Sequence, residues 1–534
     1  MNKEKIFIFD TTLRDGAQTE GVDFSVEDKV KIAKVLSIVG VDYIEGGWPG
    51  ANPVDTEFFS KTLNLNKSIF TAFGMTKKTG RSAENDPSLA PLINSSCSAV
   101  CVVGKAWDFH VKIALGIKNE DNLENIKETA KHIVKNKKEF LFDAEHFFDG
   151  YKSNPDYALD CLKHAFDQGA RWLVLCDTNG GTLPNEIGEI VSKVIKVIPG
   201  KNLGIHAHND TENAVANSLI AIQAGVRQIQ GTINGLGERC GNANLMSVIP
   251  TLSLKKSFSD KYDLNINKDK LSTLTECSRL LDEILNRTPN KNLPYVGASA
   301  FSHKGGLHVS AVQKDPKTYE HIDPKLIGNH RNIIVSNQAG RSNILSRLEA
   351  YGVKIDSKDK NVQKILDKVK EREFSGYSYD GADASFELLA NRLLGKVPEY
   401  LKVENYNVNV SKSDKILTKA NVVFLIDGKK IECSGEGNGP VNALDNAIRS
   451  NFNKVEKYYN FFSDLKLLDY KVRILNTGTE ATTRVLIEST DKTGVSWFTV
   501  GVSPNIIEAS FKALIDSLDY KLYKEKAPAN LNEK

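Results

Sequence analysis

The stretch IFIFDTTLRDGAQ, residues 6–18, decides between two fold classes for the first half of the chain. Its apolar start predicts a short buried strand, and a polar loop follows at once. An open doubly wound sheet that binds a dinucleotide needs a glycine-rich G-x-G-x-x-G turn directly after its first strand. DTTLRDGAQ is not such a turn, so this stretch favours a closed barrel.

Eight short apolar runs alternate with amphipathic helical patterns before residue 275. SVEDKVKIAKVLSIVG is one such helix, because Ser25 can cap its start, Asp28 occupies the capping-box position and Gly40 can end it. Eight strands alternating with helices over about 270 residues are typical of a (β/α)8 TIM barrel. The predicted strands are IFIF (6–9), DYIEGG (42–47), IFTAFG (69–74), AVCVVG (99–104), FLFDAE (140–145), WLVLCDT (172–178), LGIHAHN (203–209) and RQIQGTING (227–235).

The length of 534 residues predicts more than one domain, because single hydrophobic cores stop growing at roughly 250–300 residues. We predict an α/β fold in which the barrel is followed by helices and then by a small α+β domain. The helical patterns include SRLLDEILNR, RSNILSRLEA and VQKILDKVKE. The predicted domains are a TIM barrel (1–274), helical linker subdomains (275–398), a C-terminal α+β domain (399–524) and a flexible tail (525–534).

The C-terminal segment carries a weak internal repeat. ANVVFLIDGKKIECSGEGNGPVNALDNAI and TTRVLIESTDKTGVSWFTVGVSPNIIEASFKALI each read as two strands, a glycine-containing loop and a helix. Gly437 and Pro440 of the first copy match Gly501 and Pro504 of the second. Two copies of one unit predict a small pseudo-symmetric domain.

The bulk composition argues against two kinds of partner. The chain has 70 basic and 67 acidic residues, and this balance gives no support to binding of nucleic acid or of a membrane surface. Its seven cysteines form no CxxC pair and are expected to be reduced thiols, which predicts a cytoplasmic protein. The N-terminal apolar run is too short for a signal peptide, and no run approaches the roughly 18 residues of a membrane span.

Two histidines stand one residue apart in IHAHND, residues 205–210. On a strand, side chains at positions i and i+2 point to the same face, so His206 and His208 leave the strand together. Asp15, in the loop after the first strand, lies at the same end of the predicted barrel. Two imidazoles and a carboxylate with open positions predict a catalytic Zn, Mn, Mg or Fe site.

Other polar residues collect at the carboxyl ends of the predicted strands, where TIM barrels carry their chemistry. Arg14 forms either a surface ion pair with Asp15 or a contact that neutralises a developing oxyanion. Glu145 is either a buried strand-end carboxylate or a reacting group. Thr178 either stabilises the turn at the start of a helix or donates a hydrogen bond to a substrate carboxylate. The remaining polar residues at these ends are His146, Asp177, Asn234, Glu238, Arg239 and Asn242.

Three motifs, DTTLRDGAQ, HAHND and NGLGERCGN, occur in this order on the predicted barrel. They resemble the metal-dependent acyl-CoA Claisen-condensing enzymes, which are the 2-isopropylmalate, homocitrate and citramalate synthases. The resemblance extends over the barrel, the linker and the C-terminal domain. IEGGWPGANPVD, KKTGRSAENDPSLAPLINS and FDAEHFFDGYKSNPDYAL look most like the long bacterial citramalate synthases, and 2-isopropylmalate synthesis is the alternative.

The resemblance assigns roles to residues of the barrel. It implies a divalent metal (Mn, Mg or Zn) bound by the four residues Asp15, His206, His208 and Asn242. It places Arg14 on the reacting oxygens. It also implies that His110 and Thr178 bind substrate.

The resemblance further implies proton transfer by Glu145 and by a histidine of the linker. SAFSHKGGLHVSAV offers His303 and His308, and the family pattern favours His308, with Tyr319 following it. His303 is then expected to be an exposed loop histidine. In the family this segment reaches the barrel of a neighbouring chain, so an active homodimer is implied.

The implied reaction joins acetyl-CoA to pyruvate with hydrolysis of the thioester, as in isoleucine biosynthesis. The C-terminal domain resembles a module that senses the end product, which here would be isoleucine. The choice between pyruvate and 2-oxoisovalerate depends on the shape of the pocket, because an apolar pocket separates such substrates by only about 1–3 kcal/mol per methylene. Trp48 either narrows that pocket or belongs to the core.

Three rival functions are disfavoured. A 3-hydroxy-3-methylglutaryl-CoA lyase would share the metal site, but the loop GERCGNAN and the long C-terminal domain argue against it. A biotin-dependent carboxyltransferase usually works with a Met-Lys-Met motif, which the three methionines Met1, Met75 and Met246 exclude from this chain. An amino-acid sensor with a relic barrel predicts a damaged site, yet every expected ligand is present.

Overall fold

The computed structural model describes residues 3–531, except for 286, 334–343, 346–347, 350–354, 357–358, 380, 413–415, 450, 453–456 and 476–480. The chain forms two compact units. The first contains residues 1–301 and 322–330, and the second contains residues 302–321 and 331–534. The predicted helix RSNILSRLEA (341–350) lies largely outside the described residues.

Eight parallel strands close into a barrel in the first unit, as predicted. All eight predicted apolar runs contain one of these strands, although several strand ends differ by a few residues. The first strand pairs with both the second and the eighth, which closes the barrel. The strands are β1 (Phe7–Asp10), β2 (Tyr43–Glu45), β3 (Ile69–Met75), β4 (Ala99–Lys105), β5 (Glu139–Glu145), β6 (Trp172–Asp177), β7 (Leu203–Ala207) and β8 (Gln228–Gly231).

Alternate side chains of the strands point into the barrel or out towards the helices. Phe9, Tyr43 and Trp172 belong to an inner apolar cluster. Ile8 and Leu173, one position along the chain from inner residues, belong to the outer cluster that packs against the helices. Because large rings occupy the beginning of the strands, the polar side chains are left at the carboxyl ends.

The helices of the first unit follow the strands in turn. Helix α1 begins and ends as predicted: Asp28 N donates to Ser25 Oγ (3.1 Å), Ser25 N donates to Asp28 Oδ2 (3.1 Å), and Gly40 has φ +93°. The main helices are α1 (Val26–Val39), α2 (Pro53–Ser60), α3 (Ala90–Asn94), α4 (Asn119–Lys135), α5 (Phe147–Ser153), α6 (Pro155–Phe166), α7 (Pro184–Val194), α8 (Ala214–Ala224), α9 (Leu245–Leu254) and α10 (Leu274–Ile284).

The second unit contains the predicted repeat. Each copy is an antiparallel three-stranded sheet followed by a helix, so each has one strand more than the sequence indicated. Gly437 and Gly501 each lie against the helix of their own copy. The elements are α11 (Gly306–Lys314), α12 (Lys360–Phe374), α13 (Asp383–Leu393), β9 (Lys402–Lys412), β10 (Ile416–Ile426), β11 (Lys429–Gly437), α14 (Pro440–Arg449), β12 (Lys466–Ile474), β13 (Thr483–Thr490), β14 (Ser496–Ser503) and α15 (Ile506–Lys524).

The sequence predicts a flexible tail after α15, but residues 525–531 of this segment are anchored. Asn530 Oδ1 accepts from Asp427 N (2.7 Å), and Asn530 Nδ2 donates to Leu425 O (3.0 Å). Ala527 is also buried. Residues 525–531 therefore pack against the end of β10 within the second unit, where the side-chain amide of Asn530 satisfies backbone groups.

All seven cysteines lie in described segments, none of them forms a disulfide bond, and only Cys240 is exposed. Reduced, mostly buried cysteines are what the sequence predicts. Among the helices built from described residues, none has both the length and the apolar run that crossing a bilayer requires.

We expect Gly501→Ala to destabilise the second copy of the repeat. A Cβ at this position would overlap the carbonyl oxygen of Ala509 in α15, and such overpacking lowers the free energy of unfolding by about 1–3 kcal/mol. Hydrogen-exchange mass spectrometry should show faster exchange in β14 and α15. Gly439→Ala is the control, because a Cβ there meets no atom of the described residues within 4 Å. Equal exchange in the two variants would contradict the expectation.

Candidate functional site

Four predicted metal ligands meet at the mouth of the barrel. His206 Nε2 lies 3.1 Å from Asp15 Oδ2 and 3.4 Å from His208 Nε2. Asn242 Nδ2 lies 3.2 Å from His206 Nε2 and 2.5 Å from Asp15 Oδ2. All four residues are buried. We refer to Asp15, His206, His208 and Asn242 as the four-residue group. The sequence therefore located a compact group of nitrogen and oxygen donors.

Local backbone structure sets each of these positions. His206 is in β7 and His208 follows its end, so the two rings point to the same side. Asp15 lies in the turn after β1, and Asn242 forms an isolated antiparallel bridge with His208. Gly237 has φ +157°, and a Cβ there would overlap the side-chain amide of Asn242. A glycine is thus required for this loop to approach Asn242 so closely.

The donor atoms suit a divalent cation. His208 Nδ1 and Asn242 Oδ1 are buried and have no hydrogen-bond partner among the described residues. Burial would raise the pKa of Asp15, but Arg14 and His206 hold it well below its usual range. Burial, followed by the neighbouring His206, lowers the pKa of His208 to about 3. An anionic carboxylate beside a neutral imidazole is the state in which these groups bind metals.

Arg14 is held beside the four-residue group by a carboxylate that sequence reasoning missed. Its Nε donates to Glu45 Oε2 (2.7 Å), its Nη1 lies 3.2 Å from Asp15 Oδ1, and its guanidinium carbon lies 4.0 Å from the Phe73 ring centroid. Burial raises the pKa of Glu45 to about 7. The only signal in the sequence was an acidic residue inside the apolar run DYIEGG. The guanidinium of Arg14 therefore has a fixed orientation. Its ion pair with Asp15 is buried and does not lie on the surface.

A second polar group lies on the other side of the mouth. Side-chain donor atoms of His110, Glu145 and His146 lie within 4.8 Å of one another, and Lys105 forms an ion pair with Glu145. Thr178 Oγ1 accepts from His146 N (2.8 Å). The structure therefore brings the predicted substrate-binding and proton-transfer residues of the barrel together.

A cavity of about 190 Å³ connects the two groups. Asp15, His206 and His208 line it together with Arg14, Glu145 and Thr178, and its apolar wall consists of Phe73, Val103 and Cys176. Trp48 instead lines an adjoining cavity of about 490 Å³, and its ring lies 5.9 Å from that of Phe73. Trp48 thus supports the wall of the smaller cavity from behind.

Other polar residues at the mouth have different contacts. Asn234 Nδ2 donates to Ser278 O (3.1 Å) in α10, so Asn234 fastens the loop after β8 to that helix. Arg239 binds Asp210 and donates to Thr178 O (2.8 Å), while Glu238 lines the smaller cavity. Only part of the polar cluster predicted at this end therefore faces the four-residue group.

The two linker histidines belong to the second unit. His308, in α11, is exposed and stacks on Tyr319 with ring centroids 4.0 Å apart. The prediction that His303 is an exposed loop residue is wrong. His303 is buried, and its Nε2 lies 3.0 Å from Glu320 Oε1 in a carboxylate that also binds Arg331. A buried ion-paired histidine is typical of a structural role, whereas His308 presents an accessible ring.

Models of known families match three consecutive parts of the chain. The HMGL-like model matches residues 5–277, which contain the barrel and all four candidate ligands. The chain belongs to the HMGL-like family. In this HMGL-like chain, residues 295–375 match the homocitrate synthase post-HMGL domain-like model, and residues 380–522 match the LeuA allosteric (dimerisation) domain. The predicted order of barrel, linker and regulatory module is the order of these matches.

Full-length relatives narrow the family. The (R)-citramalate synthase of Aquifex aeolicus is 50% identical to this chain, over 98% of each of the two chains. That of Geobacter sulfurreducens is also 50% identical, over 97% of each chain. A probable 2-isopropylmalate synthase of Methanopyrus kandleri is 31% identical, over 96% of this chain and 97% of its own. The predicted resemblance to citramalate synthases is confirmed.

We expect His206→Ala to lose bound divalent metal, because the substitution removes the donor that lies nearest to the other three. Metal per chain is measured by equilibrium dialysis against Mn²⁺ followed by elemental analysis. The control is His132→Ala, which removes a histidine from the outer helix α4. Wild-type metal content in the His206 variant would contradict the assignment of this site.

Proposed function

We propose that the chain is an (R)-citramalate synthase that condenses acetyl-CoA with pyruvate and water to give citramalate and CoA in isoleucine biosynthesis. The observation that carries the proposal is the grouping of Asp15, His206, His208 and Asn242 beside Arg14, in a chain that matches (R)-citramalate synthases along its whole length. The small cavity beside this group has room for a short 2-oxo acid.

The four-residue group is proposed to hold one divalent cation (Mn, Mg or Zn). Two imidazoles, a carboxylate and an amide leave open positions for substrate oxygens, as in catalytic rather than structural sites. When bound, the cation supplies Lewis-acid polarisation of the 2-oxo acid carbonyl.

Arg14 is proposed to stabilise negative charge on the former keto oxygen. Its Nε and one Nη are engaged by Glu45 and Asp15, so the guanidinium is oriented before substrate arrives. A donor that needs no reorientation stabilises a developing oxyanion most effectively. The charge of Arg14 is also retained, because the carboxylates of Asp15 and Glu45 offset its burial and raise its pKa.

Glu145 is proposed to take a proton from the acetyl methyl group, so that the resulting enolate attacks the keto carbon. Lys105 holds the Glu145 carboxylate at the wall of the cavity. Thr178 and His110 are proposed to bind the substrate carboxylate and carbonyl. Hydrolysis of the thioester then adds water, releases the CoA thiol and makes the overall reaction irreversible.

The second unit is proposed to regulate the barrel and to complete it within a homodimer. Its match to an allosteric dimerisation domain supports this assignment, and isoleucine is the proposed effector. His308, stacked on Tyr319, is proposed to serve the barrel of the partner subunit in proton transfer. The seven reduced thiols support a location in the reducing cytoplasm.

The proposed activity is tested by release of the CoA thiol from acetyl-CoA with Mn²⁺ or Mg²⁺. Pyruvate, 2-oxobutyrate, 2-oxoisovalerate and 2-oxoglutarate are compared by kcat/KM. We expect pyruvate to exceed 2-oxoisovalerate by at least about 10-fold, because the cavity wall of Phe73, Val103 and Cys176 must accept two further methyl groups. A preference for 2-oxoisovalerate would assign leucine biosynthesis instead, and thiol release with none of the acids would refute condensation.

The partner-supplied histidine is tested by mixing two inactive variants, Arg14→Ala and His308→Ala, through co-expression. If His308 acts on the partner's barrel, one of the two sites in each mixed dimer is intact. Random pairing then restores up to about a quarter of wild-type activity. The control pairs Arg14→Ala with the double variant Arg14→Ala/His308→Ala, which leaves every site defective. Recovery no greater than in this control would place His308 outside the partner's site.

A further inference from the structure

Two buried polar residues outside the four-residue group connect to His206. His206 Nδ1 lies 2.8 Å from Gln230 Oε1, and Gln230 Nε2 lies 3.0 Å from Asp143 Oδ1. Asp143 and Gln230 come from β5 and β8, and both are at most 3% exposed. We refer to Asp143, Gln230 and His206 as the relay.

Asp143, the acidic residue of the relay, sets the direction of its hydrogen bonds. A carboxylate only accepts hydrogen bonds, so Asp143 requires Gln230 to present its NH2 group. The amide oxygen of Gln230 then faces His206 and accepts a hydrogen bond from Nδ1.

The direction of the relay sets the tautomer of His206. With its proton on Nδ1, the ring keeps a lone pair on Nε2, which is the atom that faces Asp15, His208 and Asn242. A histidine ligand is usually oriented by the hydrogen bond that its other ring nitrogen makes. With the amide reversed, Nε2 would carry the proton and could not bind a cation.

The geometry points to Asp143 and Gln230 as positioning residues that prepare His206 Nε2 to bind the metal. This inference rests on the proposed function, because it assumes that the four-residue group holds a cation. It extends that function to two residues outside the four-residue group. Neither residue needs to react with substrate for the relay to act.

Gln228 provides a matched control on the same strand. It lies two positions before Gln230, so it too points into the barrel. Both atoms of its side-chain amide are buried and have no hydrogen-bond partner among the described residues. Gln228→Leu therefore removes a buried glutamine from β8 and leaves the relay intact.

The test measures Mn²⁺ affinity of the metal-stripped full-length protein through the electron paramagnetic resonance signal of free Mn²⁺. We expect Gln230→Leu and Asp143→Asn to weaken binding by about 10–100-fold, as for other residues that orient a metal ligand. Asp143→Asn preserves shape but lets the new amide donate to Gln230 Oε1, which reverses the relay. The double variant Asp143→Asn/Gln230→Glu restores an acceptor beside His206 Nδ1, so its affinity should return close to the wild-type value.

The outcomes separate the relay from the proposed site. If His206→Ala binds Mn²⁺ as the wild type does, the proposed metal site fails. If His206→Ala loses binding while Asp143→Asn and Gln230→Leu keep wild-type affinity, the relay alone is overturned. Weak binding by both single variants without recovery in the double variant also overturns it, since packing rather than proton direction would then matter. Circular dichroism establishes that each variant is folded, and the shape-preserving Asp143→Asn keeps the test valid if Gln230→Leu does not fold.

Discussion

The pairing of β1 with β8 is the constraint on which the rest of the site depends. Hydrogen-bonded register between Phe7–Asp10 and Gln228–Gly231 closes the barrel. The same closure brings the loops after these two strands together, so Thr12 Oγ1 accepts from Ile233 N (2.8 Å). Asp15 and Asn242, 227 positions apart in sequence, then come within hydrogen-bonding distance. An open sheet with the same strands would separate these two residues.

The interior of the barrel is apolar at one end and polar at the other. Aromatic rings fill the half where the strands begin, and charged groups fill the half where they end. Buried charges are costly unless they are paired, and here each charge lies against an opposite one or a hydrogen-bond donor. Arg14 lies between Asp15 and Glu45, and Asp143 accepts from Gln230. Rigid packing below therefore keeps a dense polar group above in fixed positions.

Periodicity and order predicted the barrel, and spacing predicted that His206 and His208 lie side by side. The positions of His206 and His208 could be predicted because side chains two residues apart on a strand point to the same face. Glu45 was not, because a single acidic residue in an apolar run does not reveal what it binds. The burial of His303 was missed because Glu320, its partner, is 17 positions away and no local pattern connects them. The packing of Trp48 against Phe73 was missed as well, because contacts between side chains of different strands leave no periodic signal.

The span of the four-residue group along the chain has a consequence for synthesis on the ribosome. Asp15 emerges early, whereas Asn242 emerges only after all eight barrel strands. No shorter nascent segment contains the complete group, and joining ends so distant has an entropic cost that only the finished barrel offsets. A cation bound by all four residues would therefore enter a barrel that has already folded. In the cation-free barrel, the charges of Asp15 and Glu45 are offset by their ion pairs with Arg14.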